Sequence, residues 1–337
     1  MKNLRILITR PDRIGDVVLS TPIPRELKKT YPGCFVAILV KEYTKDIYLN
    51  NPHVDQIIIY GETPEKNRLK AFFKIVSEIR RYSFTHSFML LPTERLNWIL
   101  FFSGIKYRIG VGHKFYQFIT GTRSVQRHKY NPLRHEADYC MDMARKIGVV
   151  TDNLAPEIHL TEPEKTKSFQ FRKAALGEKK YLVGVHITHG GSSANWKPSN
   201  YKKLIMQLLE NKSIQIVITD FHIPDEIKNI ERVVFPDINS LRELITYISG
   251  LDLFISSSTG PMHIAAAVKI KTLSLFCTLT ATSPKLWGPL GNESYIITPE
   301  KKYCEDVCKG DPKNCWFDGP GGISVDTVYN KTIEILK

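Results

Sequence analysis

Three stretches carry residue types that can do chemistry. The first is "RPDRIGDVVLSTP", residues 10–22, where an apolar run breaks into a charged turn and a helical pattern begins. Gly15 can take a positive φ without steric cost, as a sharp strand-to-helix turn requires. Asp16 then stands at or near a helix N-terminus, where aspartate is among the best capping residues. The same position keeps a carboxylate ionised at neutral pH. An ionised carboxylate in a cleft can act as a general base. Cap and base are compatible readings of Asp16.

The second stretch is "FISSSTGPMHIAAAV", residues 254–268. A strand pattern ends in hydroxyl residues and runs into Gly260 and Pro261, strong signals for a helix start. The first N–H groups of such a helix lack internal partners. With the helix dipole they suit a phosphate or diphosphate. Ser258 and Thr259 can add hydroxyl donors. His263, one turn in, can reach the same anion or a sugar hydroxyl, or can be an ordinary packed histidine. The third stretch, "VGVHITHGGSSANWKPSNYKKL", residues 183–204, leaves a strand at Thr188 and reopens as a helix after Lys197. Its glycines allow close backbone approach to a ligand. By itself it also reads as an ordinary long loop.

The elements that must position these residues alternate. In the first half "LRILIT", "FVAILV", "QIIIY" and "HSFMLL" read as strands, with helices at 17–30, 69–82 and 135–147. In the second half "YLVGVHI", "IQIVIT", "LDLFIS", "TLSLF" and "YIIT" alternate with helices near 199–210, 240–248, 260–268 and 324–336. Alternation of this kind predicts parallel sheets with crossover helices, and two such series predict two α/β domains. The polar, proline-bearing segment near 150–180 marks the boundary. Ligands of open α/β sheets bind beyond the carboxyl ends of strands, which places the chemistry in a cleft between the domains.

The net charge of +13 is uneven. Residues 1–160 hold 25 Lys and Arg against 15 Asp and Glu, whereas the remainder holds 22 against 19. An anionic partner for the first half is expected. No segment reaches the roughly 18 apolar residues of a membrane span. The N-terminus lacks a signal-like pattern, so the cytosol is the expected compartment. Cys34, Cys140 and Cys277 read as small core residues. Cys304, Cys308 and Cys315 read either as a metal site one ligand short of zinc's usual four or as a loop of reduced or oxidised thiols. The fingerprints G-x-G-x-x-G, the Walker loop, H-E-x-x-H and G-x-S-x-G are missing, which counts against hydride transfer, ATP hydrolysis, zinc peptidase and serine hydrolase chemistry.

Together the three stretches resemble the ADP-heptose:lipopolysaccharide heptosyltransferases, glycosyltransferase family 9. "DRIGDVVLSTP" is similar to that family's N-terminal signature, and the segment from "SLRELITYISG" to "KLWGPLG" is similar to its C-terminal one. "HITHGGSSANW" resembles the family's loop in the second domain. The resemblance implies an α/β fold of GT-B architecture, two Rossmann-like domains with parallel sheets facing across a cleft. Residues 1–165 would bind the acceptor and 166–337 the nucleotide-sugar donor, with the C-terminal helix packing back on the first domain. Asp16 would be the catalytic base, with Arg13 and Gly15 on the acceptor side. Thr188, Ser192, Ser193, Lys197, Ser258, Thr259, Gly260, Pro261 and His263 would bind the donor.

The implied reaction is an inverting, metal-independent transfer of heptose from ADP-heptose to the inner core of lipopolysaccharide. No cofactor is expected, the nucleotide sugar being a substrate. The acceptor would be an anionic glycolipid. The protein would be cytoplasmic, peripheral on the anionic face of the inner membrane, with no nucleic-acid partner. Two positions depart from the family pattern. Ser258 stands where many members have aspartate, and Ala194 where some have lysine. Three other readings remain at this stage: the same fold with another nucleotide-linked sugar such as a hexose or N-acetylhexosamine, a sugar-nucleotide epimerase, and a non-catalytic polyanion binder.

Overall fold

The computed structural model describes residues 4–61, 67–191, 193–308 and 310–337. The chain divides into two compact units, Met1–His159 and Leu160–Lys337. The division falls just before the helix Glu162–Leu176, a few residues earlier than the expected 165/166. That helix starts where it does for a local reason. The Thr161 hydroxyl accepts from Glu164 N–H at 3.4 Å while the Glu164 carboxylate accepts from Thr161 N–H at 2.7 Å, a reciprocal capping box.

The first unit is built on six strands: β1 (Arg5–Thr9), β2 (Phe35–Val40), β3 (Gln56–Ile59), β4 (His86–Met89), β5 (Tyr107–Val111) and β6 (Arg123–Val125). All pair in parallel in the order β3-β2-β1-β4-β5-β6. β1 and β2 are buried almost throughout, as strands covered on both faces must be, which explains their unbroken apolar runs.

The second unit repeats the plan with β7 (Tyr181–His186), β8 (Ile214–Ile218), β9 (Val233–Val234), β10 (Leu253–Ser257), β11 (Lys271–Leu275) and β12 (Ser294–Ile297). Its order is β12-β11-β10-β7-β8-β9, again all parallel. Counted within each unit, both sheets have the doubly wound order 3-2-1-4-5-6. Each therefore reverses direction once, between β1 and β4 and between β7 and β10.

Two sequence expectations change. The helix expected over 17–30 is two pieces, α1 (Ile14–Val18) and α2 (Pro22–Thr30), because prolines at 22 and 24 cannot continue a preceding helix. The C-terminal helix Val325–Leu336, expected to return to the first domain, buries Val328, Ile335 and Leu336 in the second unit's own core. Among the described residues no helix is long and apolar enough to cross a membrane.

Candidate functional site

β1 ends at the reversal point of the first sheet, and the chain after it turns at once into α1. Arg10, the first residue beyond the strand, is buried to 2% exposure. Its guanidinium donates to Leu90 O beyond β4 at 3.3 Å, to Asp16 Oδ1 at 2.5 Å and to Glu136 Oε1 at 3.1 Å. Glu136 in turn accepts from both terminal nitrogens of Arg127, at 2.7 and 2.8 Å. Burial works against the charge of Arg10. Cys140 and the carboxylates of Asp16, Glu136 and Asp12 outweigh it and hold the pKa above its ordinary value.

Asp16 lies inside α1 and is not its cap. Arg13 holds the capping position, with no side-chain bond to the helix. Gly15 is helical too, so the turn is not made by a left-handed glycine as the sequence suggested. The Arg13 side chain is exposed. Burial pushes the Asp16 carboxyl up to about 6, against the opposing pull of Arg10. The result is a carboxylate that is ionised at neutral pH and still basic enough to take a proton.

In the second unit the two remaining stretches meet at the other reversal point. The carboxylate of Asp220, buried beyond β8, accepts from Ile187 N–H at 2.9 Å and Thr188 N–H at 2.7 Å, which fixes the exit of β7. The loop then turns through Gly191 at φ 68°, a conformation that favours glycine. Ser193 is buried, and its hydroxyl donates to Ser258 O at 2.9 Å, joining the loop to the end of β10. Ser192 lies outside the described residues. Asn195 donates to Ile187 O at 2.8 Å and accepts from the Tyr201 hydroxyl at 2.8 Å, so the loop closes on itself.

Beyond Ser258 the helix α11 (Gly260–Ala267) begins with Thr259 as its cap residue and Pro261 in its first turn. The Thr259 side chain makes no capping bond, and its buried hydroxyl has no hydrogen-bond partner among the described residues. With the unpaired N–H groups of the first turn this forms a built donor set for an anion. His263 sits in that first turn and is 4% exposed.

Lys197 stands apart from this set. Its ammonium pairs with Asp318 at 2.6 Å on the surface, and both side chains are about half exposed. Ala194 is fully buried in the second unit's core.

Among the described residues no group of three or more His, Cys, Asp or Glu is arranged to hold a metal ion. The late cysteines serve the second unit's core. Cys304 lies 3.8 Å from Cys277 and accepts from the Thr278 hydroxyl at 3.0 Å, while Cys315 packs beside Tyr303. Burial pushes the Cys308 thiol up to about 11, which keeps it protonated.

Sequence reasoning missed Arg10, Glu136 and Arg127. Arg10 carried a signal, a cation placed where an apolar strand has only just ended. Glu136 carried none, because what matters about it is a contact made across 126 residues with Arg10, and Arg127 enters only through its two bonds to Glu136.

Comparison with known proteins gives a consistent picture. The family model described as glycosyltransferase family 9 (heptosyltransferase) matches residues 73–316. A Haemophilus influenzae protein that carries only the general name of glycosyltransferase is 25% identical over 303 residues, covering 86% of each chain. Lipooligosaccharide heptosyltransferase 2 of the same organism is 23% identical over 351 residues, 99% of each chain. The solved structure of Escherichia coli ADP-heptose lps heptosyltransferase II aligns at a TM-score of 0.74 and 16% identity, over 99% of this chain and 98% of that one. The two doubly wound units thus form the GT-B-like α/β fold of these enzymes.

Proposed function

The chain belongs to glycosyltransferase family 9, and from that premise we propose that it transfers heptose from ADP-heptose to the inner core of lipopolysaccharide. Family membership makes it a glycosyltransferase and sets aside the non-catalytic polyanion binder. A relative matching almost the whole chain is named a lipooligosaccharide heptosyltransferase, and a protein of the same fold is named an ADP-heptose enzyme. These names support heptose as the sugar and ADP as its carrier.

The observation that carries the reading is Asp16, a carboxyl raised to about 6 and locked at a sheet reversal point by Arg10. In the proposed reaction an acceptor hydroxyl attacks the anomeric carbon and gives its proton to Asp16 Oδ. The bond from that carbon to the diphosphate oxygen breaks on the opposite side, inverting the centre. The N–H groups of the first turn of α11 and the Thr259 hydroxyl are the donors that would meet the growing charge of the departing diphosphate. A donor aimed at developing charge is worth about 3–4 kcal/mol. No metal takes part in this scheme. The acceptor is an anionic glycolipid, which makes the enzyme a peripheral protein on the cytoplasmic side of the inner membrane.

The test is transfer from ADP-heptose to a Kdo–lipid A acceptor, with product read by mass. An Asp16→Asn variant should lose about 10²- to 10⁴-fold in rate, the usual share of a general base, while still binding ADP. Wild-type rates in that variant would remove Asp16 from the mechanism. Product formed only from a different sugar nucleotide would keep the mechanism and replace the donor.

A further inference from the structure

Exposed apolar side chains are ordinary when scattered singly, and they carry information when they gather. Among the described residues sixteen large hydrophobic side chains are exposed, and seven of them come from three helices of the first unit. These are α3 (Arg68–Arg80), α4 (Glu94–Phe102) and α5 (Phe115–Ile119), with α4 packed against both others. On α3 and α4 the aromatic rings form one chain, from Phe73 through Phe72 and Phe102 to Phe101 and Trp98, with successive centroids 5.3–6.0 Å apart. Asn97 of α4 donates to Tyr116 O at 3.2 Å and so holds α5 beside this chain. On α5 the exposure is extreme: Phe115 is 79% and Phe118 84% exposed.

The charge around these rings is predominantly positive, although Glu94 accepts from the Trp98 indole N–H at 3.4 Å. Residues 67–123 contain ten Lys and Arg and only two Asp and Glu, so this segment supplies most of the first half's excess. The cations are interleaved with the rings. The Arg95 guanidinium lies 5.8 Å from the centre of Phe72 and that of Arg108 5.2 Å from the centre of Phe101. Lys114 caps the helix that begins with Phe115.

We propose that the α3–α4–α5 face docks the protein on an anionic lipid bilayer, with Phe115 and Phe118 entering the interface and the surrounding Lys and Arg meeting lipid phosphates. Aromatic and aliphatic side chains ringed by cations are the composition that settles at the boundary of headgroups and acyl chains. A second copy of the chain would satisfy the apolar groups but would set like charge against like charge. An anionic bilayer satisfies both. The proposal rests on the preceding section only in taking the acceptor to be membrane-borne.

The test uses the full chain and vesicles without donor or acceptor. Vesicles of phosphatidylethanolamine and phosphatidylglycerol should sediment the protein, and vesicles of phosphatidylcholine alone should sediment much less. Raising salt to about 0.5 M should weaken the binding, because the Debye length then falls well below 8 Å. The double variant Phe115→Ser, Phe118→Ser should lose at least about tenfold in partitioning, given the apolar area withheld. Its melting temperature and its rate on a detergent-solubilised acceptor should match the wild type.

Equal partitioning of the double variant and the wild type overturns the proposal. So does a wild type that ignores anionic vesicles, including one that sediments as a dimer which the variant loses, since the face then belongs to a second copy. Vesicle binding without any sugar transfer leaves this face standing and removes the proposed function; transfer without vesicle binding does the reverse.

Discussion

Asp16, the proposed base, carries a carboxyl whose ionised form is costly to the fold. Its carboxyl is raised from an ordinary value near about 3.9 to about 6 by burial. A carboxyl raised on folding favours the protonated folded state. Its contribution is full below the unfolded value and is lost as pH rises through about 6. At pH 8 the ionised group therefore costs at most about 3 kcal/mol, less whatever its remaining solvent contact returns. Asparagine mimics the protonated form. Asp16→Asn should therefore melt above the wild type at pH 8 and nearly with it at pH 4. In wild-type kinetics the acid limb of kcat/KM should fall near pH 6. A limb near pH 4, or an asparagine variant that melts lower at pH 8, would contradict the burial argument. Asp16 stood out as a candidate base from its place after a glycine at a strand exit, and its buried, raised carboxyl fits that proposal. Glu136, the other carboxylate on Arg10, left no trace in local spacing, because its contact spans 126 residues.

At the level of elements, the start of α11 was the best read feature in the sequence. Hydroxyls, glycine and proline before an apolar run leave few alternatives to a helix N-terminus. Lys197 was expected at the donor and lies in a surface ion pair with Asp318. Thr259 carries a buried hydroxyl without a partner among the described residues. Thr259→Val keeps the shape and removes that hydroxyl. It should leave the melting temperature of the free protein unchanged or slightly raised, and weaken ADP binding about tenfold, the worth of one good hydrogen bond. Calorimetry checks both. A variant that melts lower and binds ADP normally would make the hydroxyl structural. Elements went unread where periodicity failed. β5 is broken by Arg108 and Gly110, β6 has three residues, and α4 is apolar on nearly every side, so neither period 2 nor 3.6 stands out.

At the scale of the molecule, the two units share one strand order, and alternation along the chain made the α/β class legible. Strand order itself was not, because parallel neighbours are joined through long crossovers and the sequence does not say which strand sits beside which. If the second unit holds the nucleotide, hydrogen exchange with and without ADP should show new protection in residues 187–197 and 257–263 and little change in 5–18. Protection centred on the first unit would reverse the assignment of donor and acceptor.

The reach of Arg10 has a consequence for how the protein is made. The wall of the first unit that carries Asp16 is complete only when Glu136 closes on a guanidinium laid down at the tenth residue. A ribosome must therefore translate most of that unit before the wall can exist. A nascent chain halted at residue 120 would hold the Arg10 cation with Asp16 but without Glu136, the second carboxylate it donates to. Chaperones that guard emerging chains should stay engaged until the helix Glu136–Arg145 has cleared the exit tunnel.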